Sequence, residues 1–79
     1  MNATNIDDVS AVRRALHRRF GSHSAIIEST LVMNHRRNRT WPAIVEACRK
    51  VTLICMDEQA ADDVEHIVCT TVGLECRHC

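Results

Sequence analysis

Apolar residues recur at helical spacing through most of this chain, and the first repeat is the cleanest. Ile6, Val9, Val12, Leu16 and Phe20 share one face, while Arg14, Arg18 and Arg19 fall elsewhere on the wheel. The spacing predicts an amphipathic helix over 6–20. Asn5 suits its N-cap, Asp7 and Asp8 complement the positive end of its dipole, Arg18 and Arg19 complement the negative end, and Gly21 suits a left-handed stop.

The next stretch is ambiguous. Ala25, Ile26, Ile27, Leu31, Val32 and Met33 spread around a helical wheel without forming one stripe. The β-branched Ile26, Ile27, Thr30 and Val32 suit a strand, whereas Ser24 as a cap and His35, Arg36 and Arg37 at the far end suit a helix over 24–37. Thr40-Trp41-Pro42 then makes a good helix start, with proline in the first turn where its missing N–H costs nothing. From there Trp41, Ile44, Val45, Cys48, Val51, Thr52 and Cys55 share a face through a helix over 41–56, with Leu53 and Ile54 off it. Asp57 can cap a last helix over 58–72, where Ala60, Val64, Ile67, Val68 and Thr71 form the apolar stripe and Gly73 ends the run.

This pattern predicts an all-α, small four-helix bundle. The competing architecture is α/β, with short strands near 25–33 and 51–56. It lacks turns: between Cys48 and Val51 stand only Arg49 and Lys50, with no Gly or Asn to close a helix before a strand.

Length sharpens the picture. The 79 residues make a single small domain over 1–79, in the range where one core is barely sufficient and a partner or a second copy often adds stability. Phe20 and Trp41 are the only aromatics, so the core is expected to be aliphatic and thiol-rich, and a base-stacking surface is disfavoured. The N-terminus has neither a basic start nor an apolar run, and no stretch approaches the roughly 18 apolar residues of a membrane span, which points to a cytoplasmic protein that does not bind membranes. Five cysteines cannot all pair, so reduced thiols are expected, with Cys48 and Cys55 as core residues too far apart for a shared bond.

Charge is divided unevenly. Residues 1–50 hold nine Lys/Arg against four acids, and residues 51–79 hold Arg77 against six, although the formal net charge is zero. The basic group, Arg13, Arg14, Arg18, Arg36, Arg37 and Arg39, is a candidate surface for a protein partner or for phosphates. The acidic group, Asp57, Glu58, Asp62, Asp63 and Glu65, is a candidate docking patch for a basic partner, provided it is not neutralised within the molecule. Many of these residues are equally explained as dipole partners of their own helices.

Candidate chemistry is sparse. Cys76 and Cys79 form a CxxC at the C-terminus, and His66 and Cys69, i and i+3 on the last helix and opposite its apolar stripe, would complete a closed Cys₃His set for structural zinc. No cofactor is otherwise implied. Ser22, Ser24 and Ser29 sit in no nucleophile elbow, and there is neither a phosphate loop nor a paired zinc-histidine motif.

The expected function is therefore non-enzymatic: a small protein-binding module acting as an inhibitor, adaptor or accessory subunit of a larger complex, as a monomer or homodimer. Small antagonists of bacterial defence systems carried by phages or mobile elements, anti-CRISPR proteins among them, share that bare description, a likeness of class with no motif behind it. The alternative is a small nucleic-acid-binding regulator that uses the arginine clusters.

Overall fold

The computed structural model describes residues 6–74, with side chains from Asp8 onward. Its elements are α1 (Ile6–Phe20), a 3-10 turn (Gly21–Ser24), α2 (Ala25–Arg36), α3 (Trp41–Cys55) and α4 (Glu58–Val72), so the fold is the expected all-α bundle. No strand occurs among the described residues, and 25–33 and 51–56, the candidate strands, lie within helices apart from the terminal Met56. α1 runs through the 3-10 turn straight into α2, and the bundle can equally be counted as three helices, the first long and bent. The bend lies at Gly21, whose φ of 61° is left-handed; a Cβ there would meet nothing within 4 Å, so glycine supplies the dihedral alone.

Local chemistry explains most boundaries. Asp57 caps α4, its carboxylate accepting from the Ala60 N–H at 2.8 Å, and Gly73 at φ 82° closes the helix with its N–H on the Cys69 carbonyl. Asn38 takes a left-handed φ of 58° just after α2. Thr40 stands in an extended conformation before Trp41-Pro42, but it caps α3 through its carbonyl and not its side chain. Ser24 does not cap α2 either, because its hydroxyl is engaged elsewhere. The proposed cap Asn5 lies outside the described residues.

The core is aliphatic. Val12, Leu16, Ile27, Leu31, Ile44, Cys48, Val64 and Val68 are fully buried, and Val9, Trp41, Val45 and Cys69 complete the cluster. Each buried Val, Leu or Ile contributes on the order of 2 kcal/mol by leaving water. α3 packs on α2 and on α4, α1 packs on α4 and α2, and α1 and α3 lie diagonally across the core. No described helix is long and apolar enough to cross a membrane.

Two cysteine positions are corrected, one expected in the core and one expected outside it. Cys48 is buried as read, but Cys55 is exposed, at the edge of a shallow hollow that it lines with Phe20, Ile26 and Met56. Cys69 does not face solvent beside His66; it is 4% exposed, because the buried side of α4 is wide enough to include Ala61, Glu65 and Cys69 beside the predicted stripe.

Candidate functional site

The acidic group is mostly used inside the molecule. Glu65, expected on the surface, is 3% exposed, and its carboxylate accepts from Arg49 Nη1 at 3.2 Å. The same nitrogen donates to Asp62 at 2.5 Å. Hydrogen bonding to Asp62, joined by the charges of Asp62, Glu65 and Glu46, holds the Arg49 guanidinium more firmly protonated than usual. Asp63 accepts from Arg19 at 2.7 Å and from Gln59 at 3.2 Å, and Asp57 is spent on the helix cap. These contacts tie α4 to α3 through Arg49 and to α1 through Arg19. Of the five acids proposed for docking, Glu58 is exposed and takes part in no described ion pair.

Sequence reasoning missed Arg49 as their partner. The available signal was Glu65 itself, a charge between Val64 and Val68 and one turn from Ala61 and Cys69, on the side of α4 that must be covered.

The basic group behaves differently. Arg13 donates to Glu28 Oε1 at 3.1 Å, but Arg14, Arg18, Arg36, Arg37 and Arg39 are exposed and make no described ion pair. Arg13, Arg14 and Arg18 rise from α1, with His17 between them, and Arg36 from the end of α2. Between the two helices runs an open groove of about 510 Å³, with Arg13, His17 and Arg36 on its walls and Ala25, Val32 and Met33 supplying apolar surface. Arg14 and Arg18 flank a second hollow that shares Arg13 and His17 with the first. Arg37 and Arg39, in the α2–α3 connection, line neither.

A polar network fixes this groove. Ser24 donates a short hydrogen bond to Glu28, its oxygen lies 3.5 Å from His17 Nδ1, and His17 Nδ1 lies 3.9 Å from Glu28 Oε2. Burial pushes the Glu28 carboxyl up, but bonds from Ser24 and Arg13 and the charges of Arg13 and His17 outweigh it and leave it below the usual carboxylate range. Serine, histidine and glutamate thus meet, yet not as a catalytic triad. The Ser24 hydroxyl, 1% exposed, points at the carboxylate and not at an imidazole base oriented by that carboxylate.

The zinc set is not assembled among the described residues. His66 is exposed and Cys69 is in the core, while Cys76 and Cys79 lie outside the described residues. No group of three or more metal-capable side chains occurs among those described. Cys48 is also poorly suited to ligation, since burial pushes its thiol up to about 12.

No family model, no curated protein and no solved structure matches this chain.

Proposed function

We propose that this protein is a non-catalytic docking module that seats its basic α1–α2 face on an acidic surface of a protein partner, and so serves as an inhibitor, adaptor or accessory subunit of a larger assembly. The observation that carries this reading is the groove in which Arg13, His17 and Arg36 surround Ala25, Val32 and Met33, with Arg14 and Arg18 on its outer flank. Arginine and methionine beside exposed apolar surface are the residue types enriched at protein interfaces. Neither aromatic offers an open platform for base stacking, since Trp41 is buried and Phe20 packs against the core under Arg19. Cys48, Cys55 and Cys69 are free thiols, which fits a reducing, cytoplasmic setting.

The test is affinity capture from the native host with three versions of the full chain. The partner is expected with the wild type and with Glu58→Lys, and is lost with Arg14→Glu/Arg18→Glu. Capture that survives the arginine reversal but fails with Glu58→Lys would return the function to the acidic helix. In parallel, a duplex of about 30 base pairs at about 50 mM salt should not be retarded; retardation that weakens steeply with salt would make this a nucleic-acid-binding regulator.

A further inference from the structure

The two helices that wall the basic groove present different stripes to it. On α2, Ala25, Ser29, Val32, Met33 and Arg36 recur at i, i+4, i+7, i+8 and i+11, so they line up along one side of the helix. Met33 is 52% exposed, Ala25 and Ser29 are exposed and Val32 is half-buried, which leaves this stripe small and apolar until Arg36 ends it. Glu28, on the same side, is engaged by Ser24 and Arg13. On α1, Arg13 and His17 stand one turn apart on the rim, with Arg14 and Arg18, again one turn apart, behind them. Arg14, Arg18 and Arg36 are exposed and make no described ion pair. From Ala25 to Arg36 the stripe runs about 16 Å, or three turns of helix.

We infer that the groove receives an acidic amphipathic helix of about three turns from a protein partner, which deepens the docking function proposed above and rests on it. Charge names the occupant. The unanswered groups are guanidinium ions, and two of them, Arg14 and Arg18, are spaced to meet carboxylates four residues apart on a facing helix. Backbone chemistry names its conformation. α1 and α2 bond their N–H and C=O groups internally, so an extended segment laid between them would find no backbone partners, while a helix arrives with its backbone already bonded. Ala25 and Ser29 are small enough to let that helix approach α2 closely, with its apolar edge on Val32 and Met33 and its carboxylates toward the arginines. A second copy of this chain does not supply such an edge, because in α4 Asp62 and Glu65 hold Arg49, Asp63 holds Arg19 and Asp57 caps the helix. An element of three turns buries less than a standard interface, so the complex should be weak and exchange rapidly.

The probe is a synthetic, alanine-based helical peptide of about 16 residues, with leucines down one edge and glutamates at i and i+4 beside them. A shuffled peptide of the same composition and charge is its control. Nuclear magnetic resonance titration of the isotope-labelled full chain at about 50 mM salt should show saturable amide shifts at Ser29, Val32, Met33 and the α1 arginines, with at least about fivefold weaker binding of the shuffled peptide. Ser29→Trp, which fills the groove, and Met33→Glu, which repels the peptide, should each weaken binding about tenfold with unchanged far-ultraviolet circular dichroism, since both positions are exposed. Equal binding of the two peptides, or groove variants that bind as the wild type does, would overturn the seated helix. If Arg14→Glu/Arg18→Glu still abolished that binding, the basic face would stand as the docking surface. Failure of both peptides to bind would also overturn the inference, and loss of the captured partner on the arginine reversal would then uphold the docking function without it. A duplex of about 30 base pairs that shifts the same residues at lower concentration than the peptide would assign the groove to nucleic acid and overturn both.

Discussion

Cys48 and Cys55 stand two helical turns apart on α3 and have opposite surroundings. Cys48 is fully buried, with its Sγ 4.0 Å from the Ile27 carbonyl, and burial pushes its thiol from an ordinary 9.0 up to about 12. In the unfolded chain that thiol ionises near its ordinary value, so above it the unfolded state has lost a proton that the folded state keeps. Folding stability should therefore fall as pH rises between about 9 and about 12, by about 1.4 kcal/mol per pH unit from this group. Urea denaturation at several pH values checks this: the wild-type slope should exceed that of Cys48→Ala, and parallel curves would refute the assignment. The burial of Cys48 was legible because it shares a face with Ile44 and Val45. The exposure of Cys55 was not, since a helical wheel gives direction but not where the core stops. At this end of α3 the same face opens onto a shallow hollow lined by Phe20, Ile26 and Met56.

Among the helices, α4 is the most fully determined by its own sequence and the most dependent on its neighbours' charges. Asp57 and Gly73 fix its ends, and both were readable as cap and stop. Its attachment to α3 was not, because it relies on Arg49, whose side chain is 15% exposed, reaching Asp62 and the nearly buried Glu65 together. Removing the guanidinium takes the counter-charge from a carboxylate that has little water. Arg49→Ala should destabilise the fold by about 3 kcal/mol, a large share of what a domain of this size possesses. Asp62→Asn should cost about 1 kcal/mol, because Asp62 is a third exposed and Arg49 retains Glu65. Urea midpoints rank the two, and equal losses would show that Glu65 does not depend on the pair. α2 illustrates the reverse difficulty. Its apolar residues divide between the core, with Ile27 and Leu31, and the surface, with Ile26 and Met33, so no single stripe could announce a helix. Of its two end signals only the basic last turn holds, with His35 and Arg36 where the structure places it, since Ser24 does not cap the helix.

At the scale of the whole molecule, the divided charge along the chain is not a divided charge in space. Arg19 and Arg49 belong to the basic part of the sequence, yet both turn toward α4 and neutralise its acids. Arg14, Arg18, Arg36, Arg37 and Arg39 remain without described ion pairs, and Arg13 is answered by Glu28. A sequence count cannot distinguish these two sets, because which arginine meets which carboxylate is decided by how the helices pack. The consequence is a protein of zero formal net charge that should behave as a cation on one side. At pH 7 and low salt it should bind a sulfonate cation exchanger, and it should elute by about 0.15 M salt, where the screening length of about 8 Å separates the arginines from one another's help. Arg14→Glu/Arg18→Glu should pass through unretained, whereas Glu58→Lys should elute slightly later than the wild type. Retention on a quaternary-amine exchanger under the same conditions would mean that the α4 acids are open to solvent, and that the ion pairs made by Arg19 and Arg49 do not persist in solution.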